Sequence, residues 1–537
     1  MRRLAAILAA SMMATLLVTA QPAAATSAPR PTTTEASAEN PPAVEWAACD
    51  GGLGQFGAEC GFVVVPLDYE DPAGATIKLA VSRVKHTVPD DQYQGIVLVN
   101  PGGPGGSGLN LSILGGFIPK GAGASYDWIG FDPRGVGASE PSLSCDGSYF
   151  GYARPQYVPY NRKLEQTWLD RSKGYAQACT NAGGALLDHV KTTDSVQDMD
   201  SIRKALGEAQ LNLYGFSYGT YLGQVYSTLY PDKVRRMVLD GVVDPTRVWY
   251  KANLDQDVAF DKNLDVYFKW LAKYDGVFGL GTEWWKIKIT YYSQYARLTV
   301  HPAGGVIGPD ELNDVMLGAG YYVYNWVDIG LAFSALVKNG DYQPIKALYD
   351  NAPQGPGTDN GYAMYLATQC TDAAWPKQWN TWRGDNWATF ARAPFLTWNN
   401  AWYNAPCLFW SDGSSTPVRV DGAAAPPLLL ISETKDAATP YSGALKVRSL
   451  FPTSILIEGV GGTTHAGSLR GVSCTDDTIA DYLATGALPA RQAGKRSDIQ
   501  CDPVPPPDPT TQGSPTARSS TAGTDPTTIL RKQIGPR

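Results

Sequence analysis

The chain of 537 residues carries 44 Lys and Arg against 51 Asp and Glu, a formal charge of -7, with 44% hydrophobic residues. That length suits two to four compact units, or one large domain with an insertion, and leaves ample apolar material for a core. Basic residues do not cluster beyond the N-terminus, which argues against a nucleic-acid partner and against a polybasic membrane patch.

In chain order, Met1-Arg2-Arg3 forms a basic head before an apolar run over 4–20, and Gln21-Pro22-Ala23-Ala24-Ala25 supplies small residues for cleavage. The pattern predicts a secretory signal over 1–25 rather than an anchor, because the apolar run is at the short end for crossing a bilayer. No later run is long enough to span one, so no membrane contact is expected after removal. Residues 26–42, rich in Ser, Thr, Pro and Ala, read as a propeptide or disordered leader.

Short apolar runs ending in turn residues follow. Residues 62–65 and 76–84 predict an antiparallel pair, and 96–99, 128–131, 211–214 and 237–239 predict buried strands, with helices over 201–207 and 221–230. From about 245 to 425 the pattern turns helical and aromatic, with amphipathic stretches at 255–274, 283–298 and 326–338. Strand character resumes at 427–432 and 454–458. The expected architecture is α/β: a mostly parallel twisted sheet flanked by helices, formed by 43–245 and 426–501, with a helical cap over 246–425 inserted after the sixth strand. The segment 502–537, with three consecutive prolines at 505–507, is read as a tail without fixed structure.

Eight cysteines, an even number, fit an oxidising compartment. None forms a Cys-x-x-Cys pair, which disfavours zinc and thioredoxin-type chemistry. Sequence proximity suggests the bridges Cys49 to Cys60, Cys145 to Cys179, Cys370 to Cys407 and Cys474 to Cys501, among many possible pairings.

The chemistry centres on Gly215-Phe216-Ser217-Tyr218-Gly219, which follows a short apolar strand in the manner of a nucleophile elbow. A serine hydroxyl needs a base, commonly an imidazole, which protonates near pH 6.5. Of the four histidines, His86 ends an early strand, His189 precedes a helix and His301 lies in the helical block. His465 follows the last strand on a Gly-rich loop, as the Ser, acid, His chain order requires. The acid is expected at Asp436, just past the strand at 427–432, with Glu433 and Asp240 as competitors. Asn100-Pro101-Gly102-Gly103-Pro104-Gly105-Gly106-Ser107-Gly108 can turn backbone N–H groups toward a developing oxyanion, and Gly103 and Tyr218 are the expected donors. It lacks the Gly-Lys-Ser/Thr of a phosphate loop.

Together with Asp-Pro-Arg-Gly-Val-Gly-Ala-Ser at 132–139, Asp-Ala-Ala-Thr-Pro at 436–440 and Thr-His at 464–465, these motifs resemble the secreted tripeptidyl aminopeptidases of high-GC Gram-positive bacteria. These are α/β-hydrolases related to prolyl aminopeptidases, and the resemblance runs from about residue 44 to 501. It implies release of tripeptides from free N-termini of peptides or proteins through a serine ester, with no cofactor or metal, under a helical cap. Cys370-Thr371-Asp372 resembles the family's Cys-x-Asp segment and makes Asp372 a candidate anchor for the substrate ammonium. Asp132 and Arg134 are expected to brace the loop beneath the site, and Asn100 stands where many lipases carry His-Gly-Gly. The rival readings are a secreted carboxylesterase or lipase with the same triad and, more remotely, a non-catalytic binding protein on the same fold.

Overall fold

Strands buried on both faces read as near-continuous apolar runs, and Ile96–Asn100 and Ile455–Gly459 are buried throughout. In a computed structural model describing residues 41–352, 355–410 and 413–511, alternate side chains of these strands enter two separate cores. Ile96, Leu98, Leu211, Leu213, Met237 and Leu239 fill one, while Val97, Val99, Tyr214, Phe216, Val238 and Ile431 fill the other. The segment 1–25, most of the leader and residues 512–537 lie outside the described residues.

The strands are β1 (Ala47–Ala48), β2 (Glu59–Pro66), β3 (Thr76–Val84), β4 (Ile96–Asn100), β5 (Asp127–Phe131), β6 (Leu211–Phe216), β7 (Val234–Asp240), β8 (Leu429–Glu433), β9 (Ile455–Gly459) and β10 (Ile499–Cys501). They form one sheet in the order β1-β2-β3-β5-β4-β6-β7-β8-β9-β10. Pairing is antiparallel from β1 to the β3/β5 junction and parallel from there onward. Asn100 is in register with Gly215, Phe216 with Asp240, and Glu433 with Gly459. The carboxyl ends of these five of the seven parallel strands therefore open at one edge, where α/β sheets place their ligands.

Helices fill the interval between β7 and β8, among them Tyr250–Lys273, Trp284–Val300, Pro309–Tyr321, Trp326–Asn339 and Asn360–Asp372. The two-residue β1 puts this block after the seventh strand in chain order, one later than the sequence count. Phe260, Leu264 and Tyr267 share a core with Val97 and Tyr214 of the sheet, so the block is packed down onto it. Many of its tryptophans are likewise core: Trp402 stacks on Trp168 and Trp379 with centroids 5.7 and 4.9 Å apart.

The sequence reading misses the helix Arg162–Gly183 and truncates Thr192–Ala205. Charged residues and Gly174 dilute the signal of the first, although Trp168, Ser172, Tyr175, Ala176 and Cys179 form its buried stripe. The short strands β1 and β10 are missed too; with two and three residues they carry no period to read. The four disulfides join the expected partners; loops of this length add about 3 kcal/mol each in the chain-entropy account. The first ten residues of the segment read as an unstructured tail run along the body, where Val504 is buried and Pro507 accepts the Trp270 indole N–H at 3.0 Å.

Arg134 does not brace the loop at the site. Its guanidinium donates to both Asp198 oxygens, at 2.8 and 2.6 Å, and to the Leu67 and His189 carbonyls, tying the Thr192–Ala205 helix to the end of β2. Both side chains are 1% exposed, so losing one strands a buried charge. Arg134→Met should lower unfolding free energy by about 3–5 kcal/mol, read from the urea midpoint.

Candidate active site

A tight turn joins β6 to the helix Tyr218–Leu229, and Ser217 occupies it at φ 55°, ψ -122°. A Cβ on Gly215 would lie 2.5 Å from the Gly219 carbonyl, and one on Gly219 would lie 2.7 Å from that of Asn100. Small residues at both positions are a steric condition of the turn. The Ser217 N–H is held by the Asp240 carbonyl at 2.9 Å, which fixes the serine backbone to β7.

Beyond β9 the chain turns back and presents His465, 2% exposed. Its Nδ1 lies 2.7 Å from Asp436 Oδ2, leaving Nε2 as the nitrogen open to a hydroxyl. Asp436 is itself fixed: Oδ1 accepts the Ala438 and Thr439 N–H groups, and Oδ2 accepts the Thr439 hydroxyl at 2.8 Å. The two competing acids are engaged elsewhere. Asp240 Oδ2 accepts the Ser468 N–H, and Glu433 Oε1 accepts the Val504 N–H, both at 2.8 Å. Burial pushes Asp240 up to about 6 and Glu433 up to about 8. The helical block also grips this loop: His465 N–H donates to the Tyr321 carbonyl at 2.8 Å, and Val323 N–H donates to Thr464 Oγ1. A second His-Asp contact, His86 Nδ1 to Asp127 at 2.7 Å, lies on the β3/β5 side of the sheet and not on the cavity that holds Ser217.

Ser217, His465, Gly103 and Tyr218 line one cavity of about 950 Å³, counting its open mouth. The loop after β4 crosses directly over the elbow: a Cβ on Gly102, whose φ is 96°, would fall 2.8 Å from both Ser217 Cβ and Tyr218 N. Asn100 Oδ1 consumes the Gly102 N–H at 2.9 Å, so that group is not an oxyanion donor. Tyr218, as first residue of its helix, keeps an N–H without an intrahelical partner. Asp132 braces the loop as expected, accepting the Ser107 hydroxyl and the Gly108 and Leu109 N–H groups, with Ala138 N–H on its other oxygen.

The structure does not bring Asp372 to the cavity wall. Its oxygens accept the Thr192 N–H at 2.6 Å, the Thr192 hydroxyl at 2.5 Å and the Trp249 indole N–H at 3.2 Å, and it is Trp249 that lines the cavity. Burial pushes Asp372 up to about 6, the mark of a carboxyl enclosed by neutral donors. The carboxylates on the wall are Asp244 and Asp255. Asp255 is clamped by Arg247, with Nη2 to Oδ1 at 2.8 Å, whereas Asp244 Oδ1 accepts only neutral donors from Thr246. Sequence reasoning passed over Asp244, although an acid four residues past a strand end and before Pro245 sits where loops at this edge carry function. Tyr321, Tyr322, Tyr365 and Trp249 supply aromatic wall, so the block's aromatics serve both core and cavity.

A family model described as the alpha/beta hydrolase fold matches residues 95–284, and one described as TAP-like protein matches residues 393–501. The tripeptidyl aminopeptidase of Streptomyces coelicolor is 38% identical over 455 residues, covering 83% of each chain. Serine protease Hip1 of Mycobacterium tuberculosis is 31% identical over 473 residues, 83% of this chain and 89% of that protein. Carboxylesterase B of the same species is 31% identical over 457 residues, 80% of this chain and 85% of that one. On this kinship the chain belongs to the tripeptidyl aminopeptidase family of α/β-hydrolases and is a serine peptidase.

Proposed function

We propose that this peptidase releases tripeptides from free N-termini with Ser217 as nucleophile, His465 as general base and Asp436 as the group that orients the imidazole. The observation that carries the reading is the buried His465–Asp436 pair on the same cavity as a serine held at a strained turn. Ser217 Oγ attacks the carbonyl carbon of the third residue while Nε2 takes its proton, and Asp436 stabilises the imidazolium. The oxyanion receives the Gly103 and Tyr218 N–H groups. Collapse breaks the C–N bond, the leaving amine takes the proton from His465, and water then cleaves the ester by the same steps.

Release of a fixed length requires the substrate ammonium to be held at a fixed depth, and a carboxylate without a cationic partner does so by charge and hydrogen bonding. We assign that role to Asp244 rather than Asp372. Four disulfides and the signal-like N-terminus support export, with 26–42 as a propeptide or disordered leader. Ester hydrolysis is the second reading, favoured by the likeness to carboxylesterase B.

A chromogenic tripeptide anilide, its N-acetylated twin and a short acyl ester separate these readings: cleavage of the free amine alone is expected, and equal turnover of the blocked twin overturns the exopeptidase assignment. Ser217→Ala should cost about 10⁶ in kcat and Asp436→Asn about 10⁴. Asp240→Asn should stay close to wild type, and loss there would move the acid to Asp240. A charge-assisted contact contributes about 1.5–3 kcal/mol, so Asp244→Asn should raise KM for the free-amine substrate roughly tenfold or more. Asp372→Asn should leave that KM nearly unchanged, and the reverse pattern restores Asp372 as the anchor.

A further inference from the structure

The loop that carries His465 is folded around one side chain, that of Glu433 at the end of β8. A Cβ on Gly459 would lie 2.7 Å from Glu433 Oε1, one on Gly462 would overlap Oε2, and one on Gly467 would lie 3.3 Å from Oε1. None of these three glycines has a positive φ, so backbone dihedrals do not demand glycine at them. The carboxyl does. Around it, Thr434 N–H donates to the Gly459 carbonyl at 3.0 Å and Lys435 N–H to that of Gly462 at 2.8 Å, while Oε1 takes the Val504 N–H. Oε2 is buried without a partner.

We propose that Glu433 is a positioning residue, whose carboxyl group sets the conformation of the loop bearing His465 and ties it to the segment that leaves the Cys474–Cys501 bridge at Val504. The proposal rests on His465 acting as the base. Glu433 faces Asp240 from the end of β7 and Asp436 from its own loop, with His465 on the loop that wraps it. Burial next to these carboxyls raises Glu433 to about 8, so it works at neutral pH as an uncharged acid and an amide of the same shape can replace it. Since that value lies above its ordinary 4.5, the stability Glu433 contributes is complete below about pH 4.5 and is lost as pH rises through about 8.

The test compares Glu433→Gln, Glu433→Ala, Gly459→Ala and His465→Ala in the full chain. Gln should keep kcat near wild type, whereas Ala, which frees the loop, should lower kcat by about 10²-fold at unchanged KM, the scale of a misplacement near 1 Å. Gly459→Ala pushes on the same carboxyl from the end of β9 and should lower kcat likewise, so the proposal remains testable if Glu433→Ala does not fold. The Tm advantage of Gln over wild type should widen from pH 5 to pH 9. Wild-type kcat in Glu433→Ala or Gly459→Ala, a Gln variant as impaired as Ala, or a constant Tm difference would each overturn the proposal. An active His465→Ala would instead overturn the catalytic reading; an inactive one beside a normal Glu433→Ala leaves that reading intact and removes this one.

Discussion

The site depends on a steric constraint: three chain segments meet at Ser217 with no room for side chains between them. The loop after β4 presses Gly102 against Ser217 and Tyr218, while Gly215 and Gly219 let strand, turn and helix close on each other. Because most of these contacts are to backbone atoms, the serine is held in its unfavourable dihedrals by the core behind β6 and not by its own hydrogen bonds alone. The loop after β4 and the Ser217 turn are consequently one unit, and Asp132 secures it from below through four donors.

Three carboxyl groups gather behind the imidazole, and hydrogen bonding gives them different roles. Asp436 receives donors on both oxygens and reaches Nδ1. Asp240 and Glu433 each have one buried oxygen without a partner, and desolvation raises both. At neutral pH Glu433, raised to about 8, is the one of the two that stays uncharged, which spares the pair of His465 and Asp436 a further negative charge close by.

Much of this was legible in the sequence, because the informative signals were local. Residues 96–99 and 211–214 are continuous apolar runs bounded by turn residues, and such runs name a buried parallel strand without knowledge of their partners. Gly-Phe-Ser-Tyr-Gly and the Gly-rich loop declare their geometry through the residues they exclude. The helix Arg162–Gly183 was illegible because charged residues and Gly174 dilute its apolar stripe, and the partner that marks Trp168 as core, Trp402, is distant in sequence. Asp372 was misplaced for a similar reason: its neighbours Thr192 and Trp249 are distant in sequence, and burial behind Trp249 is a tertiary fact. Asp436 could be ranked above Asp240 and Glu433 by position, but the hydrogen bonds that separate them come from Ser468 and Val504, which no local pattern connects to strand ends.

The Tyr321 carbonyl that receives the His465 N–H belongs to the helical block, as do the Val323 N–H on Thr464 and the Asn263 amide on the Thr463 carbonyl. A roof bolted to the histidine in this way cannot swing aside like a hinged door without unseating the group it shelters. Any displacement of the helical block has to break these three hydrogen bonds and disturbs the backbone that carries the imidazole.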